Sequence, residues 1–171
     1  MSRVTLARLA GRLGVRPPSL YNHVRGLDDL RRGLTLRAVE MLGDALRDAA
    51  VGRAGDEAII AIAQTYRRFA HEHPGLYATT LRSVHVGKDA DLRAAGDAVI
   101  KTVVAILRAY GLEGDEAMHA TRIVRSAVHG FVALETVGGF GIPIDIDETF
   151  DRYLSLITDG LRNWPNGGKG P

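Results

Sequence analysis

Cysteine is absent from the 171-residue chain, which removes disulfides and thiolate-held metals from its possible chemistry and fits a reducing compartment. No stretch approaches the ~18 consecutive apolar residues of a membrane-spanning helix, and the opening residues lack the apolar core of a secretory leader. A soluble, cytoplasmic protein with no membrane partner is therefore expected. The groupings that enzymes use are missing as well. There is no pair of carboxylates, no nucleophile beside a base and no glycine-rich phosphate loop, so neither catalysis nor a cofactor is expected. His71-Glu72-His73 comes nearest to a metal site, but histidines two apart on a helix point to different sides. The sequence supplies no third ligand, and no metal is expected. Neither an internal repeat nor a strand-like alternation is present, which leaves an all-α fold.

Acidic residues are scarce at one end. Residues 1–37 hold eight arginines against Asp28 and Asp29, a balance of +6, while the remainder carries −4. A basic head on an acidic body is the asymmetry expected when one end meets a polyanion. Lysine is rare beside arginine, three against nineteen, which reflects a GC-rich genome more than a mechanism.

The basic end also has the sharpest local pattern. Thr5 is suited to cap a helix whose apolar face is Leu6, Leu9, Ala10 and Leu13. Gly14 stops it in the left-handed conformation that glycine adopts at least cost, and Val15 is expected beneath the turn. Arg16, preceding a proline, is pushed to extended geometry. Pro17 and Pro18 then open a second helix, where their missing N–H groups cost nothing. Leu20 and Val24 form its inner side, and Ser19, Tyr21 and Asn22 point outward. Helix, short glycine turn, helix is the helix-turn-helix arrangement.

The run Ala10-x-x-x-Gly14-Val15-x-x-x-x-Leu20-Tyr21-x-His23-Val24-x-x-Leu27-x-x-Leu30 resembles the TetR family of bacterial repressors. Pro18-Ser-Leu-Tyr-Asn-His-Val24 is close to the tetracycline-repressor branch. The resemblance implies a double-stranded DNA partner with a pseudo-palindromic operator. It implies phosphate contacts from Ser19 and Tyr21, with Thr5 and Arg25 beside them. Base reading is assigned to Arg16, Pro17, Pro18 and Asn22: arginine can take guanine bidentately, and proline offers apolar contact to thymine methyls. His23 is read as a packed, structural histidine. The family often has a lysine, which touches a phosphate, where this chain has Leu27, so Arg25 or Arg31 would have to supply that charge. Family members also carry a further helix ahead of this motif, here preceded by three residues, and upstream codons are expected to encode it. A head without that helix would have an uncovered apolar face.

Downstream, a long helix from Asp28 to about Ala49 joins the head to the body, and residues 1–50 are grouped as the head with its connecting helix. Residues 51–164 are read as the ligand-binding and dimerisation bundle. Its helices run from Asp56 to before His73-Pro74, from there to about Arg82, from Asp89 to Tyr110 with Gly111 closing it, from Asp115 to Gly138, and from Asp147 or Glu148 to Asn163. Residues 83–88 are read as a loop and 165–171 as a disordered tail.

His73-Pro-Gly-Leu-Tyr77, Val128-His129-Gly130-Phe131 and Gly139-Phe140-Gly141 are similar to the TetR-type C-terminal domain named for Trp-His-Gly. Val128 stands where that tryptophan would be. This resemblance implies an unidentified small-molecule effector and a pocket residue at His129. Tyr66, Phe69, Tyr77, Val103, Leu107 and Phe131 are the other candidate lining residues; each fits an ordinary core position as well. It also implies a homodimer paired through the last two helices, with Ile123, Val128, Leu154, Ile157 and Leu161 as candidates. The expected activity is that of a repressor released by its ligand. A dimeric small-molecule-binding protein without DNA affinity is the alternative.

Overall fold

A computed structural model of the chain describes residues 5–81 and 89–165, and within them every regular element is helical. The expected loop at 83–88 and most of the expected tail lie outside the described residues.

The head follows its local signals closely. Helix α1 spans Leu6–Leu13, and the Thr5 hydroxyl accepts the Arg8 N–H at 3.3 Å. Gly14 closes it at φ 67°, left-handed as expected. Helix α2, Pro17–Tyr21, begins with both prolines after an extended Arg16. The apolar faces fare differently from expectation. Leu6 and Ala10 are buried, yet Leu13 is 60% exposed and Val15 40%, and α2 has no buried residue. No described element packs over that edge, so Val15 has no core to enter. His23 is exposed too, not packed.

Helix α3, Leu27–Ala50, runs unbroken for 24 residues. Asp28 and Asp29 sit in its first turn, favourable against the helix dipole, and the Asp29 carboxylate accepts the Arg25 N–H at 2.9 Å. Its second half belongs physically to the body: Ala38, Val39, Leu42 and Leu46 are buried.

The body consists of α4 (Gly55–Glu72), α5 (Pro74–Thr80), α6 (Ala90–Leu107), a 3-10 turn (Arg108–Tyr110), α7 (Gly114–Thr136) and α8 (Ile146–Arg162). Its boundaries have local causes. Pro74 forces α4 to end and occupies the first turn of α5. Asp89 caps α6 by accepting the Leu92 N–H at 3.2 Å, and Asp145 caps α8 through the N–H groups of Asp147 and Glu148. The core runs through all of these helices, with Ile59, Leu107, Val132, Phe150 and Leu154 almost completely enclosed.

Polar ties lock the helices to one another. Arg67 of α4 forms a two-pronged pair with Glu135 of α7, Nε donating at 2.9 Å to one carboxylate oxygen and Nη2 reaching the other. His71 joins the same carboxylate at 2.9 Å. The Arg67 hydrogen bonds hold the Glu135 carboxyl below its ordinary range against the opposing effect of burial. The Arg67 guanidinium also lies 4.8 Å from the Phe150 ring centre, inside an aromatic group in which Phe131 meets Phe140, Phe150 and Tyr153. On the far side, Asp56 accepts from Tyr110 at 2.7 Å and from Arg162 at 2.5 Å.

Candidate effector cavity and nucleic-acid interface

The proposed DNA-reading residues share one end of the molecule. Arg16, Pro17, Pro18, Ser19, Tyr21, Asn22 and Arg25 are all exposed, Tyr21 by 59%. Thr5 is exposed as well, although its hydroxyl is engaged in the α1 cap. Arg16 stands at the entry of α2 with no side-chain cap bond, and Arg25 extends into solvent with only a 3.9 Å approach to Asp29. Exposed guanidinium and hydroxyl groups around a short helix can reach phosphate and base edges, and no described carboxylate lies within ion-pair distance of Arg16.

Behind the head is a cavity of about 420 Å³. It opens between five helices. Val39, Leu42 and Leu46 come from α3, Ile62, Ala63 and Tyr66 from α4, and Thr80 from α5. Gly96, Val99, Ile100 and Val103 of α6 form another wall. The last wall is a stripe of α7, namely Met118, Thr121, Arg122, Val124, Arg125 and Val128. The volume is within the range of small-molecule sites, and the mostly apolar lining with few polar groups is their usual composition.

Of the candidate lining residues, Tyr66 and Val103 border this space. Tyr77 and His129 form a polar layer behind Tyr66. The Tyr77 ring stands edge-on to Tyr66, with centres 5.6 Å apart, and its hydroxyl lies 2.5 Å from His129 Nδ1. Burial, reinforced by the nearby Arg125, pushes the His129 imidazole toward its neutral form, and the tautomer it adopts sets which of Nδ1 and the Tyr77 hydroxyl donates. Burial raises both tyrosine hydroxyls above their ordinary range. Phe69, Leu107 and Phe131 are buried in the core away from the cavity; Phe69 packs against His73 and Phe131 belongs to the aromatic group.

The sequence reading missed the α3 contribution and the two arginines. The α3 residues look like any apolar stripe. Arg122 and Arg125 did leave a trace, because they share a helical stripe with Met118, Thr121 and Val128, where charge is unexpected.

The candidate dimer residues divide by burial. Val128 borders the cavity, and Leu154 and Leu161 are only 1% and 2% exposed in the protomer's own core. Those three have little surface to offer a partner. Ile157 is partly buried, and Ile123 is 54% exposed. Further exposed apolar residues are Leu134 on α7 and Leu156 on α8.

A helix-turn-helix head joined by one helix to a hollow helical body is the architecture of a two-part regulatory protein. Residues 59–157 match the family described as "Tetracyclin repressor-like, C-terminal domain". The chain is 40% identical over 166 residues to the HTH-type transcriptional regulator Rv0681 of Mycobacterium tuberculosis, covering 96% of this chain and 76% of that protein. It is 36% identical over 159 residues to the HTH-type transcriptional regulator YobS of Bacillus subtilis, covering 92% and 82%. Among solved structures, the TetR-family regulator PfmR of Thermus thermophilus superposes with a TM-score of 0.70 at 23% identity, covering 92% of this chain and 89% of that one. A second, a protein from Rhodococcus sp. RHA1, gives 0.74 at 22% identity, covering 94% and 84%. The chain belongs to the TetR family of HTH-type transcriptional regulators.

Proposed function

We propose that the chain acts as a homodimeric, DNA-binding repressor that leaves its operator when a small molecule fills the cavity. The observation that carries this reading is the course of α3. Its first turn is tied to the head through Asp29 and Arg25, and its second half supplies Val39, Leu42 and Leu46 to the cavity wall. A ligand that prefers one packing of that wall shifts the population toward one setting of the head, and it does so only by its difference in affinity for the two settings.

In this reading residues 1–50 are the head and connecting helix, and residues 51–164 are the effector and dimerisation unit. Ser19, Tyr21, Thr5 and Arg25 position the head on phosphates, while Arg16, Pro17, Pro18 and Asn22 face the bases. Two copies pair through α7 and α8 around Ile123 and Leu134, which are three helical turns apart and so face the same way, together with Leu156. Two-fold pairing calls for a pseudo-palindromic operator. The exposure of Leu13 and Val15 favours one second reading, a ligand-binding dimer whose head lacks DNA affinity.

Fluorescence anisotropy on DNA from upstream of the gene tests both, using this chain and an N-terminally extended one. Binding by either, with Tyr21→Ala weakening operator and random duplex alike and Pro17→Gln changing the preferred bases, supports the repressor. Equal losses on both duplexes for both variants remove the assigned roles. No DNA binding by either chain leaves the second reading.

A further inference from the structure

Beside the uncharged polar groups of Tyr66, Thr80 and Thr121, the mostly apolar cavity is lined by charge of a single sign. Among the described residues Arg122 and Arg125 are the only charged ones lining it, and no aspartate or glutamate borders it. They stand one turn apart on α7, where two like charges repel. No acidic residue occupies a position three or four away from either, so α7 itself offers no relief. Among the described residues Arg122 makes no hydrogen bond or ion pair, and Arg125 makes only a 3.4 Å contact to the Thr80 carbonyl. The undescribed stretches 1–4, 82–88 and 166–171 contain no aspartate or glutamate either. Arginines at a cavity mouth can reach solvent along their own stems. Both are exposed, so their heads reach solvent where the wall of Met118, Val124 and Val128 meets the cavity mouth, and no described carboxylate pairs with either.

We infer that the effector is an amphipathic carboxylate: its head is held by the Arg122 and Arg125 guanidinium groups and its apolar body lies among Leu42, Ile62, Val99 and Val103. This rests on the reading of the cavity as the effector site and names the chemical class it takes. A planar carboxylate matches the guanidinium fork. A cation meets two like charges and no partner. A neutral amphiphile of equal length buries the same apolar surface but leaves the two arginines unrelieved.

Calorimetric titration of the full chain with dodecanoate, dodecan-1-ol and dodecylamine, each below its aggregation threshold, tests this. The acid is expected to bind once per protomer, roughly tenfold or more tighter than the alcohol, and the amine not to bind. Arg122→Gln with Arg125→Gln is expected to bring the acid down to the level of the alcohol, and Arg122→Lys with Arg125→Lys to retain most of the preference. Equal binding of acid and alcohol by the unaltered chain overturns the inference, as does failure of dodecanoate and the shorter octanoate to bind, or a folded glutamine variant that binds dodecanoate undiminished. The comparison of acid with alcohol needs no variant, so a misfolded mutant does not shield the idea. DNA binding measured in parallel separates the two proposals. Arginine-dependent binding of the acid without DNA affinity sinks the repressor and leaves the carboxylate site, whereas DNA released equally by acid and alcohol does the reverse.

Discussion

The cavity makes the sign of one substitution depend on its address along α4. Ala63 is 2% exposed and borders the empty space, whereas Ala70, two turns further along the same side, is fully enclosed by core atoms. Leucine and alanine are both good helix formers, so local propensity separates the two sites little. At residue 63 a leucine adds three carbons to a volume of about 420 Å³. At ~0.8 kcal/mol per buried carbon the ceiling is about 2.4 kcal/mol, and incomplete contact with the far wall reduces it to roughly 1–2 kcal/mol. At residue 70 the same carbons meet a filled core and cost roughly 1–3 kcal/mol through displaced neighbours. For a chain of this size 1 kcal/mol corresponds to about 2–4 °C in Tm. Thermal unfolding at one fixed protein concentration, which removes any effect of self-association, should therefore show Ala63→Leu several degrees above the unaltered chain and Ala70→Leu several degrees below. Ala63→Leu should also lose ligand-induced stabilisation. Equal destabilisation by both substitutions would refute the argument, because it would mean that no usable space exists beside residue 63.

Three further outcomes follow from the contacts. Glu135→Gln removes the anion that Arg67 and His71 share and is expected to cost about 1.5–3 kcal/mol at neutral pH. Because the Glu135 carboxyl is depressed in the folded protein, its contribution is complete above the ordinary glutamate range and fades as pH falls through the depressed value; urea midpoints of the two proteins should converge in acid. Arg32→Gln severs the bridge from α3 to Asp89 and Asp91 at the start of α6, and hydrogen exchange should quicken in residues 27–37 while far-ultraviolet dichroism is unchanged. Unaltered exchange would show that the bridge restrains nothing. Ile123→Asp with Leu134→Asp should give a monomer by light scattering, and a dimer that persists would move the interface elsewhere.

How much of this was legible in the chain depended on the range of the interaction. Thr5, Gly14 and Pro17-Pro18 act on their own backbone, so the head could be delimited almost to the residue. The cavity is different, since it is a gap left by five crossing helices. A leucine facing a void and a leucine facing another leucine have the same neighbours in sequence, which is why Leu107 and Phe131 were candidates as reasonable as Val103. Arg122 and Arg125, exposed beside the buried Thr121, Val124 and Val128, were the one readable sign. Leu154 and Leu161 went to the interior because α8 has a single strongly apolar face, and that face closes the protomer before any is left for a partner. Val15 and Leu13 fail for the opposite reason: their pattern asks for a cover that no described element provides.

The layer behind Tyr66 has an electrostatic consequence of its own. Burial raises Tyr66 and Tyr77 and lowers His129, so the same desolvation favours the uncharged form of all three. The layer therefore brings three hydrogen-bonding groups to the back of the cavity and favours none of them as an ion. Whatever counter-ion the arginines of α7 meet has to come from outside this layer.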